Sequence, residues 1–122
     1  MSYEHKCKAV EQYIRSINEN NLQGIVELFA DDATVEDPVG TEIRKGKVAI
    51  SDFYEHGAVN MGPKLALTGP IRVADNEAAF PFEVVVDSDG NRMSIQVIDI
   101  FRFNADGKVE SMRAYWGPEN MA

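Results

Sequence analysis

Four side chains in this 122-residue chain are of the types and spacing that move protons: Asp99, Asp37, Tyr13 and Tyr54. Asp99 gives the clearest signal. It lies in residues 92–103, RMSIQVIDIFRF, which alternate like a half-buried strand. Met93, Ile95, Val97, Phe101 and Phe103 share one register, and Asp99 is the only carboxyl group among them. An ionised carboxylate in apolar surroundings is costly unless paired. Such a group escapes by a raised pKa, stays neutral and can donate a hydrogen bond. A plainer reading stands beside this one: the sheet bends Asp99 out to solvent, or Asp99 pairs with Arg102 or Arg113.

Asp37 opens the run Asp37-Pro38-Val39-Gly40, the pattern of a type I turn with Asp accepting a local hydrogen bond. The same turn at a strand end could instead hold a carboxylate at a pocket mouth, where it could act as a base. Tyr13 falls with Val10, Ile14 and Ile17 at i, i+3, i+4, i+7, so it points inward from a helix. A buried phenol needs a partner for its hydroxyl, and a backbone carbonyl would serve. Tyr54 shares a helical face with Ile50, Phe53 and Gly57, and is a second inward phenol.

These groups need elements to position them. Residues 2–18 read as a first helix. Asn20-Asn21 makes a break and an N-cap for a short second helix carrying Leu22, Ile25, Val26, Leu28 and Phe29. Asp31-Asp32 reads as a solvated helix end, followed by an extended piece to Asp37. Residues 46–57 read as a third helix. From Lys64 the chain turns to strands, 64–68 and 71–74, with a bend or bulge at Gly69-Pro70. In the strand 78–86, Pro81 suggests an edge or a bulge. Asp89-Gly90 is a hairpin signal. As a two-residue loop it sets Val86 opposite Met93, Val84 opposite Ile95, Phe82 opposite Val97 and Phe80 opposite Asp99. The next turn, 104–107, sets Asp99 opposite Met112 if Phe103 pairs with Lys108. Asp99 is then flanked by Phe80, Val97, Phe101 and Met112, with Trp116 further along and no basic residue on that face.

Three N-terminal helices on one face of a curved mixed or antiparallel sheet make an α+β domain spanning residues 1–122, with an apolar pocket between the layers. The formal net charge of −8 argues against nucleic acid and anionic membranes as partners. No apolar run has the length of a membrane span or the form of a signal peptide. The single cysteine, Cys7, favours a reducing cytoplasm. His5 and His56 lack ligand-like neighbours in sequence, so no metal site is expected. Two carboxyl groups in unlike environments suit separated acid and base roles. Asp37 would stay ionised and accept a proton; Asp99 and Tyr13 would donate to an oxygen. The implied chemistry is proton abstraction α to a carbonyl, without metal or cofactor.

The runs LFADDATVEDPVG (28–40), ISDFY (50–54), VIDIFRF (97–103) and YWGPEN (115–120) resemble the Δ5-3-ketosteroid isomerases of the nuclear-transport-factor-2-like, SnoaL-like superfamily. That family is itself a standard example of carboxylates tuned apart by their surroundings. The resemblance implies a cone-shaped fold and a homodimer. It implies Asp37 as general base, Tyr13 and Asp99 as the oxyanion-binding pair, and Tyr54 as the partner that positions Tyr13. It implies that Phe53, Phe80, Phe82, Val97, Met112 and Trp116 face a steroid, whose double bond moves from the Δ5 to the conjugated Δ4 position through a dienolate. Some members carry a further tyrosine where this chain has Phe29, so the phenol network here should be Tyr13 with Tyr54 alone. Polyketide cyclases and non-catalytic binders share the superfamily's fold. Its epoxide hydrolases would need an arginine in the pocket register, and none is seen there.

Overall fold

A computed structural model describes residues 2–122. Helix α1 (Tyr3–Asn18) starts where the Ser2 hydroxyl accepts from His5 N at 3.0 Å. Its buried side includes Val10, Tyr13 and Ile17. The short α2 (Leu22–Val26) is capped by Asn21, whose side chain accepts from Gly24 N. Strand β1 (Phe29–Glu36) follows directly, so Phe29 opens a strand rather than closing a helix. Asp31 and Asp32 are exposed positions inside that strand, where its register against the neighbouring strand shifts. Lys47 Nζ lies 3.5 Å from Asp31.

Strand β2 (Arg44–Lys45) leads through Gly46 into α3 (Lys47–Tyr54). Gly46 has φ +89°, a conformation that side-chain-bearing residues rarely adopt. The expected third helix does not stay α-helical to Gly57. After Tyr54 it widens into a π-turn over Glu55–Val59. The extra residue per turn advances the inward face by one, so Ala58 is buried and Gly57 is exposed.

Strands β3 (Lys64–Leu67), β4 (Arg72–Ala74), β5 (Glu77–Ser88), β6 (Asn91–Phe103) and β7 (Val109–Tyr115) complete one curved, mixed sheet. Its order is β2-β1-β7-β6-β5-β3, with β4 also on β5; β1 and β7 run parallel and the other pairs antiparallel. The Asp89-Gly90 hairpin has both residues at positive φ, 51° and 81°, as a two-residue primed turn requires. All four facing pairs expected across it are present, Phe80 opposite Asp99 among them. Pro81 is neither at an edge nor in a bulge. Its carbonyl accepts from Thr68 N at 3.0 Å, so its nitrogen points to the same side, into the gap between β3 and β4 where no donor is needed.

The β6–β7 register differs from the expected one. Phe103 pairs with Val109, a bulge follows, and Asp99 faces Ala114 while Met112 faces Phe101. The shift is two residues, so no side chain changes face. One cluster of buried residues fills the space between helices and sheet, with Phe29, Phe80, Phe101 and Phe103 as its largest members.

Candidate active site

A cavity of about 160 Å³ opens between α1, α3 and the concave side of the sheet. Tyr13 enters it from α1, Tyr54 and Phe53 from α3, and Asp99, Val97 and Phe82 from β6 and β5. Asp37 and Trp116 stand across from these at the ends of β1 and β7. The sequence therefore brought eight of its ten site residues to one cavity. Phe80 and Met112 are the exceptions: both have no exposed surface and lie outside the lining. Tyr13 packs edge-on against Phe80 at 6.1 Å, covering it, and the β7 bulge moves Met112 away from Asp99. Ile17, Leu65, Val84, Ile95, Ala58 and Pro63 also line the cavity and were not foreseen. Val84 and Ile95 share the inward registers of Phe82 and Val97, which could have found them. Leu65 comes from the pairing of β3 with β5, for which the sequence carried no turn signal.

Asp99 is 1% exposed, so it does not bend out to solvent. Neither arginine reaches it: Arg102 pairs with Glu110 at 3.0 Å and Arg113 with Glu36 at 3.1 Å. Its Oδ1 is buried and has no hydrogen-bond partner among the described residues. Burial pushes the Asp99 pKa well above the ordinary carboxyl value, the charge of Asp37 adds to this, and the nearby Tyr13 hydroxyl offsets it in part. These surroundings favour the neutral carboxyl, the form that can donate.

The Tyr13 and Tyr54 hydroxyls lie 2.9 Å apart, both buried, and their rings meet edge-on. Tyr13 does not end on a backbone carbonyl. Burial raises both phenol pKa values well above normal, so both remain donors. Phe29 packs its ring 5.8 Å from Tyr54 and contributes no hydroxyl, so the phenol pair has two members.

Asp37 is only half-buried. The segment after it is not the expected turn. The Asp37–Pro38 peptide is cis, the local bond runs from Thr41 N to Pro38 O, and Gly40 N donates to Glu36. That leaves the Asp37 carboxylate for the cavity side, where Trp116 Nε1 donates to Oδ1 at 2.8 Å. Burial raises the Asp37 pKa, while the Trp116 bond and the charge of Arg44 hold it down. Arg44 lies 4.6 Å above the Phe53 ring, outside the cavity lining.

The arrangement can hold a ligand oxygen between two neutral donors, with a carboxylate across the apolar space. One expectation about metals is corrected. His56 has ligand-like neighbours after all: Asp52, Glu55 and His56 offer ligand atoms within 4.8 Å of one another. All three are exposed, and His56 Nδ1 is engaged by the Asp52 carbonyl at 2.9 Å, so they form a solvated helix end away from the cavity. Among the described residues, no helix is long and apolar enough to cross a membrane.

Residues 10–112 match the SnoaL-like domain family. A steroid Δ-isomerase of Nocardioides simplex is 37% identical over 99% of this chain and 96% of its own length. The epoxide hydrolase LasB of Streptomyces lasalocidi is 31% identical over 87% of this chain, which spans only 39% of that longer protein. Among solved structures, the epoxide hydrolase/cyclase-like enzyme SalBIII superposes with a TM-score of 0.90 at 26% identity, covering 98% of this chain and 95% of that one. Rv0760c of Mycobacterium tuberculosis, in complex with estradiol-17β-hemisuccinate, superposes with a TM-score of 0.88 at 22% identity, covering 97% and 98%. The chain belongs to the SnoaL-like, nuclear-transport-factor-2-like family.

Proposed function

We propose that this protein is a steroid Δ-isomerase. It would convert 3-oxo-Δ5 steroids into their conjugated 3-oxo-Δ4 isomers. One observation carries the reading: a buried carboxyl, Asp99, whose pKa burial raises, and a phenol, Tyr13, share the lining of an apolar cavity with a second, half-buried carboxyl group, Asp37.

The reaction balances on these residues alone. The 3-oxo oxygen accepts from Asp99 and Tyr13. Asp37 takes the proton from carbon 4, and the electron pair moves onto the oxygen, which becomes a dienolate. Protonated Asp37 then returns that proton to carbon 6, giving the conjugated ketone and restoring the base. Each donor acts most strongly on the charged oxygen, so the pair lowers the barrier rather than only binding the ground state. Tyr13 has one proton. If it donates to the ligand, the 2.9 Å contact must be a donation from Tyr54 to Tyr13. Tyr54 is therefore a positioning residue. Phe53, Phe82, Val97 and Trp116 would pack on the steroid, with Phe80 and Met112 acting from behind the lining.

A homodimer belongs to the same proposal. Ile98 and Tyr115 face each other on the outer side of the sheet and are 47% and 41% exposed. A second copy would cover them, and Ile98→Glu should shift the sedimentation coefficient toward the monomer's. Cys7, a lone cysteine, suits a reducing cytoplasm.

The likeness to LasB favours a second reading, in which the same donors protonate an epoxide oxygen while Asp37 takes a proton from an attacking hydroxyl. A polyketide cyclase would use the same groups, and a non-catalytic binder would not need Asp37. The test is a spectrophotometric assay with a β,γ-unsaturated 3-ketosteroid, following the conjugated enone. Conversion by the wild type and not by Asp37→Asn supports the isomerase. Tight binding of a phenolic steroid without conversion would replace the substrate and keep the oxyanion site.

A further inference from the structure

The cavity of about 160 Å³ is smaller than the roughly 300 Å³ of pockets that enclose a whole drug-sized ligand. A polycyclic ligand with its oxygen at Asp99 must project through the mouth. An open groove of about 550 Å³, lined from β2 and α3, shares Phe53 and Gly57 with the cavity. The two spaces share one aromatic ring and one residue without a side chain in their linings.

Arg44 dominates the near side of this groove. Strand pairing sets it opposite Val35, two residues before Asp37. Its guanidinium carbon lies over the Phe53 ring at 4.6 Å from the centroid, a cation–π contact, and Nη1 donates to the Glu42 carbonyl at 3.0 Å. These contacts fix the position of a fork of donors. The groove also presents Glu42, Asp52 and His56. Two carboxylates beside one arginine repel an anion and leave the arginine's donors suited to a neutral acceptor.

We propose that this groove is the second half of the ligand site, and that Arg44 reads a neutral hydrogen-bond acceptor, a ketone or hydroxyl, at the end of the ligand remote from Asp99. This rests on the oxyanion-site reading above for the ligand's orientation. Arg44 is then a specificity-determining residue.

The test is equilibrium binding of matched phenolic steroids, one with a keto group at the far end and one without. Wild type should prefer the keto compound about fivefold, in the range of a typical net hydrogen bond. Arg44→Met should bring that ratio to about one, and Arg44→Lys should keep part of it. Equal affinities in the wild type, or an undiminished ratio in Arg44→Met, would overturn the inference. So would a larger gain from a carboxylate than from a ketone. If neither phenol binds the wild type, the oxyanion-site reading fails and takes this inference with it.

Discussion

The two carboxyl groups of the cavity differ in one respect that governs all others, which is what surrounds them. Asp99 is 1% exposed, sits within β6 among aromatic rings, and has an oxygen without a hydrogen-bond partner among the described residues. Asp37 is half-buried at the end of β1, with an indole N–H on one oxygen and a guanidinium nearby. Burial raises the pKa of both; at Asp99 the Tyr13 hydroxyl alone opposes it, whereas at Asp37 an indole donor and a positive charge do. In the proposed reaction the same functional group would serve as an acid at the floor and a base at the mouth. A strand interior can withhold water from a carboxyl; a strand end can hold one where water and a polar edge still reach it.

The largest test breaks the mouth. Asp37→Asn should lower isomerisation about 10²–10⁴-fold, the range for loss of a positioned base, while a phenolic steroid still binds. A parallel loss of binding would mean that Asp37 shapes the pocket instead. Breaking the floor comes next. Tyr13→Phe should cost about 10²–10³-fold in kcat, with a much smaller change in affinity. Tyr54→Phe should cost roughly tenfold, because Tyr13 keeps its own proton but loses the donor that aligns it. An effect larger than that of Tyr13→Phe would reverse their roles.

The contrast also has a stability signature. Asp99 has a folded pKa above its unfolded one. The folded state keeps a proton that the unfolded chain releases above the ordinary carboxyl range. Its favourable contribution is therefore full below that range and is lost as pH rises toward the folded pKa. Asp99→Asn removes this slope. Relative to wild type, the variant should gain stability as pH rises from 5 to 7, by at most about 1.4 kcal/mol per pH unit, measured by urea unfolding at both values. A constant difference would place an ionised Asp99 in the fold. The smallest effect sharpens the mouth: Trp116→Phe removes the donor that favours ionised Asp37. Its pKa should rise, and the acid limb of the pH–rate profile should move to higher pH by up to about one unit. An unmoved limb would assign it to another group.

Much of this was legible in residues 77–103 because a two-residue hairpin leaves no freedom of register. Once Asp89-Gly90 is the loop, Asp99 must face Phe80 and must point with Val97 and Phe101. The turn before β7 was less constraining, since a bulge can absorb residues there without flipping faces; this misplaced Met112 but kept Ala114 and Trp116 inward. Phe29 misled because its apolar spacing continued a helix that sheet pairing ended. The Trp116–Asp37 bond joins residues 79 apart in sequence, and no local pattern encodes it. Arg44 escaped for a related reason: its strand has only two residues, too few to show a period.

The central claim is that Asp99 is protonated while Asp37 is ionised in the same protein at the same pH. Carbon-13 carboxyl NMR of aspartate-labelled protein reads both, with Asp99→Asn and Asp37→Asn assigning the signals. At pH 7 the account predicts a neutral carboxyl for Asp99 and a carboxylate for Asp37. An ionised Asp99 in the free protein at pH 7 would contradict it.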